Sequence, residues 1–214
     1  MNAANPVLMI ALLSLSAGCA NTERSRELGN PAVSATTLAQ QVCSNCHGVT
    51  GNAVSPNFPN LAGQLDGYLV SQLNGFKSHD RKDPAGFEYM WGLSRGLDEA
   101  QIKGLAAYYA AQTPKRRPLE GSPAAIEAGK AIFDNGVPAE NVPACSSCHD
   151  AEGQGTGTFP RLADQHADYV AKQLSVFQRG DDRPEGAAMK VVAHGLTPQN
   201  IHDVATYVQS INVQ

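Results

Sequence analysis

The residues best equipped for chemistry fall in one pattern, Cys43-Ser-Asn-Cys46-His47, which returns as Cys145-Ser-Ser-Cys148-His149. C-x-x-C-H is the pattern of covalent c-type haem attachment. Two thiols three residues apart share one face of a helical turn, where both can add across the vinyl groups of one porphyrin. The histidine that follows stays on that face and offers an imidazole nitrogen to the iron. Two other readings compete. A structural zinc site takes four protein ligands, so the two cysteine pairs would have to meet in space. A thioredoxin-like disulfide follows a strand in a βαβ unit, and no such pattern surrounds either pair. Two covalent haems are the expectation.

A haem iron held by one histidine has a sixth position whose occupant decides what the group does. Methionine there gives an electron-transfer centre of raised potential, whereas an open position allows ligand binding or peroxide chemistry. The chain has four methionines, and Met1 and Met9 lie in its leading apolar segment. The other two, Met90 and Met189, follow His47 and His149 by 43 and 40 residues. A methionine is ordinarily core filler, but here the two stand at matching places in a repeat, which favours ligation.

That repeat organises the whole chain. Cys43, Cys46, His47 and Gly51 recur 102 residues later as Cys145, Cys148, His149 and Gly153. Phe-Pro-x-Leu-Ala-x-Gln at 58–64 recurs at 159–165, and Tyr68, Gln72 and Phe76 recur at Tyr169, Gln173 and Phe177, an offset of 101. Met90, Leu97, Ile102 and Tyr108 recur 99 residues on as Met189, Leu196, Ile201 and Tyr207. A period this long describes two homologous domains rather than a solenoid.

Each copy reads as helical, with no strand-like alternation of useful length. The expected helices in the first are Leu38 to Cys46, Asp66 to Lys77, and one from near Asp98 through Ile102, Leu105 and Tyr109. In the second they are Pro123 to Phe133, His166 to Gln178 and Pro198 to Ile211. The expected fold class is all-α, two tandem helical domains each wrapped around one haem, at 36–112 and 123–214 with a linker at 113–122. A haem supplies apolar interior that a domain of this size struggles to build alone.

On these residues the chain resembles the dihaem cytochrome c4 family, two class I cytochrome c domains in one exported polypeptide. The resemblance covers roughly 35–214 and rests on the C-x-x-C-H motifs, the Pro-x-Leu-Ala-x-Gln blocks, the Met-x6-Leu blocks and Leu-Ala-Ala-Tyr-Tyr at 105–109. It implies covalent attachment at Cys43 and Cys46, and at Cys145 and Cys148, with axial pairs His47/Met90 and His149/Met189. It also implies that the carbonyls of Pro59 and Pro160 hold Nδ1–H of the two histidines. The implied function is electron carriage in a respiratory chain, from a quinol-oxidising complex or dehydrogenase to a terminal oxidase. Alternatives are a subunit of an oxidoreductase complex such as a sulfide-oxidising flavocytochrome and, against the paired methionines, a dihaem peroxidase. Departures from the family are the insertion from Val137 to Pro143 and Trp91 after the first methionine.

The remaining histidines, His79, His166, His194 and His202, have no repeat counterparts and are expected at the surface. Lys82 and Arg183 correspond at an offset of 101 and are candidates either to meet haem propionates or to serve as solvated loop charge. Val7 to Leu15 is an apolar run of nine, suited to the h-region of a secretory signal at 1–20 and too short to span a bilayer. Ser-Ala-Gly-Cys ending at Cys19 resembles a lipoprotein signal, making Cys19 a lipidation candidate on a polar tether at 21–35; cleavage after Ala20 would instead release the protein. Either route places it in the periplasm. Net charge is −4, with 124–214 at −5 and 36–112 at −1. Such a distribution lacks the basic stripe that nucleic acid wants; it suits oriented docking of redox proteins, with a merely solvated acidic face as the alternative.

Overall fold

The protein is described by a computed structural model over residues 26–84, 86–116 and 121–212. The signal segment and Cys19 lie outside the described residues, as does 117–120 of the linker.

In the first half, α1 is a continuous helical run over 35–47, with a π-helical stretch Ala39–Cys43 between Ala35–Leu38 and Ser44–His47. Helix α2 is Asp66–Lys77; α3 joins the π-helical Gly86–Met90 to Trp91–Ser94; α4 is Glu99–Ala110. Helices α1 and α2 both pack on α4. The core between them holds Leu38, Leu69, Leu97, Ile102, Leu105 and Tyr109. Asp98 starts α4 with a capping box: its carboxylate accepts from Gln101 N–H, while Gln101 Oε1 accepts from Asp98 N–H. The same Gln101 donates to the carbonyls of Asn30 and Val33. The segment expected as a tether is therefore docked from about residue 28 onward, with Leu28 and Val33 on the core. The reason is simple: two apolar side chains and two satisfied carbonyls outweigh a polar composition.

The second half repeats the plan with α5 Pro123–Asn135, α6 Ser146–His149, α7 Ala167–Arg179, α8 Ala187–His194 and α9 Pro198–Ser210. Helix α9 crosses α5 and α7 over a core of Phe133, Val170, Leu174, Phe177, Val204 and Val208. Thr197 and Asn200 form its capping box, and Pro198 needs no partner in the first turn. The 137–143 insertion folds into a closed excursion. Val137 and Val142 pair through their backbones around a 3₁₀ turn at Pro138–Glu140, and Val142 is buried in the core. Among the described residues, isolated bridges are the only β pairing.

The crossing of α5 and α9 depends on Gly129. A Cβ there would lie 2.0 Å from Asp203 O and 2.7 Å from Tyr207 Cβ. Backbone cannot move aside as a flexible side chain does, so the helices would have to part. Gly129→Ala is expected to cost about 3 kcal/mol, the upper end of ordinary overpacking, lowering the domain's thermal midpoint by several degrees. Thermal unfolding followed by circular dichroism checks this; an unchanged midpoint would mean that the crossing yields freely.

Candidate functional site

The two C-x-x-C-H motifs close α1 and form α6, each ending on a buried histidine. The chain then turns through Gly51 or Gly153, both at positive φ, which admits glycine without strain. Gly51 O accepts from Leu61 N and Ala62 N, and Gly153 O from Leu162 N and Ala163 N. That closure brings the proline of each Phe-Pro block back over its histidine. His47 Nδ1 lies 3.0 Å from Pro59 O, and His149 Nδ1 lies 2.9 Å from Pro160 O. A carbonyl can only accept, so both rings carry their proton on Nδ1 and keep Nε2 free as a lone-pair donor. Burial holds both imidazoles below their ordinary pKa, opposed in part by the same carbonyls. Phe58 and Phe159 meet the rings edge-on at 6.1 Å.

This donor set fits one haem in each half. A neutral, oriented imidazole stands next to two thiols on a helical turn, and the thiols are not in disulfides. Burial pushes Cys43 and Cys145 up to about 11, so neither is the activated thiolate of a redox disulfide. Among the described residues no group of three or more His, Cys, Asp or Glu could hold a metal ion, so the two cysteine pairs do not meet as a four-ligand zinc site would require. Met90 ends the π-helical stretch of α3, where its carbonyl accepts from Ser94 Oγ at 2.7 Å; Met189 lies on α8 and packs against the domain core. Both methionines are half-buried.

Of the histidines expected at the surface, His166 is buried and His79 half-buried. His166 is 3 % exposed, begins α7, and its Nε2 meets Ala53 O of the other domain at 3.1 Å. His79 stacks on Trp91 at 4.9 Å and on Phe87 at 5.4 Å, and its Nε2 is buried without a protein partner. That orphan beside the Met90 segment is a group a haem carboxylate would satisfy. His194 and His202 are exposed.

The repeat correspondence of Lys82 with Arg183 needs correction. Lys82 is exposed, and its backbone N–H reaches Asp182 O. Arg183 is buried, its guanidinium committed to Gln173, Gln72, Tyr68 and Glu185. Its true counterpart is Arg81. Each arginine stacks on the phenylalanine of its own domain (Arg81 on Phe76 at 4.3 Å, Arg183 on Phe177 at 4.7 Å). Each also donates to both Gln72 Oε1 and Gln173 Oε1. A loop of unequal length shifted the register by one residue.

Two helical domains with matching Cys-x-x-Cys-His turns and matching proline-held histidines define a tandem covalent-haem protein. A cytochrome c family model matches residues 32–111 and again 126–212. Cytochrome c-552 of Acidithiobacillus ferridurans is 38 % identical over 205 residues, 95 % of this chain and 86 % of that one. Cytochrome c4 of Pseudomonas aeruginosa is 38 % identical over 175 residues, 80 % of this chain and 84 % of that one. Among solved structures, cytochrome c4 of Acidithiobacillus ferrooxidans superposes with a TM-score of 0.73 at 42 % identity, covering 78 % of this chain and 98 % of that one. The chain belongs to the cytochrome c family, in its two-domain cytochrome c4 branch. It carries two covalent haem c groups, for which Cys43/Cys46 and Cys145/Cys148 have the fitting Cys-x-x-Cys-His spacing, and is an electron-transfer protein rather than an enzyme.

Proposed function

We propose that this protein carries single electrons in a periplasmic respiratory chain, with haem 1 held by His47 and Met90 and haem 2 by His149 and Met189. The observation that carries the reading is the twofold sameness of the sites. Each buried imidazole is locked through Nδ1 by a proline carbonyl, and each domain has one half-buried methionine at the equivalent place. Two sites built alike to keep both axial positions filled suit reversible Fe(II)/Fe(III) cycling, the chemistry the haem supplies. The chain's own work is to fix the ligands, bury the rings and set basicity at Nε2 through the Nδ1 hydrogen bond.

Electrons enter from a quinol-oxidising complex or a dehydrogenase and leave to a terminal oxidase. A second reading, service to one dedicated dehydrogenase, draws support from a relative in Stutzerimonas stutzeri named thiosulfate dehydrogenase electron acceptor. That protein is 30 % identical over 206 residues, 94 % of this chain and 90 % of that one. Among the described residues no helix is long and apolar enough to cross a membrane; lipidation at Cys19 is the proposed means of attachment. The readings separate on isolation. A free carrier purifies alone and both haems are reduced by quinol through a quinol-oxidising complex. Purification as a stoichiometric complex with a dehydrogenase, with no reduction by quinol, would overturn it.

A further inference from the structure

The Phe-Pro-x-Leu-Ala-x-Gln blocks do more than hold histidines: they join the two domains reciprocally. Gln165 Oε1 accepts from Asn60 N–H at 2.8 Å, and its Nε2 donates to Asn60 O at 3.0 Å. Gln64 does the same to the other domain, accepting from Arg161 N–H at 2.8 Å and donating to Arg161 O at 3.0 Å. Both glutamines are about 95 % buried, at 4 % and 5 % exposure for Gln64 and Gln165.

The peptides they grip are special. The N–H of Asn60 and the C=O of Pro59 belong to one peptide group, and that C=O accepts from His47 Nδ1. The N–H of Arg161 and the C=O of Pro160 likewise form the peptide that accepts from His149 Nδ1. An acceptor on the N–H end of a peptide polarises its oxygen and strengthens the bond made there. A stronger bond at Nδ1 makes the imidazole a more basic ligand, which favours the ferric state.

We infer that Gln165 and Gln64 are positioning residues acting crosswise, Gln165 of domain 2 lowering the potential of haem 1 and Gln64 of domain 1 lowering that of haem 2. The two potentials are then properties of the docked pair. This rests on the axial assignment proposed above. A loosened interface would act in the opposite sense, since admitting water to a haem stabilises its higher charge and lowers its potential.

The test is spectroelectrochemical titration of the two-haem protein, with haem 1 identified as the wave displaced by Met90→Ala. Gln165→Leu is expected to raise the potential of haem 1 and leave that of haem 2 in place, with low-spin spectra retained at both. Gln64→Leu is expected to do the reverse. Gln165→Asn, a milder change that keeps polarity but loses reach, covers the case in which Leu prevents docking and should shift haem 1 in the same direction. His166→Leu removes a contact across the same boundary without touching either peptide and should leave the difference between the waves unchanged. No shift, an equal shift of both waves, or a shift confined to the substituted residue's own domain would overturn the crosswise role. Failure of the axial assignment shows separately, as a Met90→Ala protein in which neither wave moves.

Discussion

Met90→Ala is expected to convert one haem to high spin and to lower its potential by tenths of a volt, leaving the other haem low-spin and in place. Axial ligand identity spans roughly 0.8 V of haem potential, and a thioether lies at the high end of that span. Alanine brings no donor, so water or nothing takes the position. The effect should stay local because each methionine belongs to its own domain: Met90 to the α3 segment tied by Ser94 Oγ, Met189 to α8 against the domain 2 core. Met189→Ala should therefore reproduce the change at haem 2. Visible spectra with potentiometry decide the matter, and an unchanged spectrum in either variant would contradict that ligand assignment.

Asp83→Ala is expected to undo the docking of the two domains without removing either haem. Asp83 is fully buried and binds Arg81 Nε at 2.7 Å, beside an Arg183 that shares the same two glutamine oxygens. Without it, two buried guanidinium groups face each other, and Glu185 is the acidic side chain that remains paired with them among the described residues. Removing one partner of a buried ion pair costs about 3–5 kcal/mol, on the order of 10 °C for a chain of this size. Acid should imitate the substitution. Burial pushes the Asp83 carboxyl up, but the neighbouring Arg81, with Arg183 and Gln173, outweighs it and holds the group below the usual carboxylate range. Its contribution is thus complete above about pH 4 and lost as pH falls through the depressed folded value. Calorimetry from pH 6 downward should show the wild type losing stability in acid while Asp83→Ala starts lower and falls less over that window. Parallel acid limbs would contradict the role given to Asp83.

Much of this was legible in the sequence, for a physical reason. Haem attachment needs fixed residue types at fixed spacing, and Cys43, Cys46 and His47 with their second copy state it outright. Long amphipathic or well-capped helices were equally plain: Asp66–Lys77 has the expected bounds, and α4, α7 and α9 differ by a residue at their ends. The methionine-bearing helices were not, because Gly86–Met90, Trp91–Ser94 and Ala187–His194 are short pieces ordered by what they pack against. His166 escaped as well. Its partner, Ala53 O, lies 113 residues away in the other domain, and a repeat reports sameness within each domain rather than contacts between them. For the same reason Gln64 and Gln165 stood out as a matched pair while their crosswise grip did not.

The proposed function needs two closed electron-transfer centres in series, each with two protein ligands on iron. Mixing the dithionite-reduced protein with carbon monoxide in a stopped-flow spectrometer checks this at the iron itself. Neither haem should bind the gas rapidly, because a methionine must first dissociate. Rapid binding at either haem would show an open sixth position and rule out methionine ligation there.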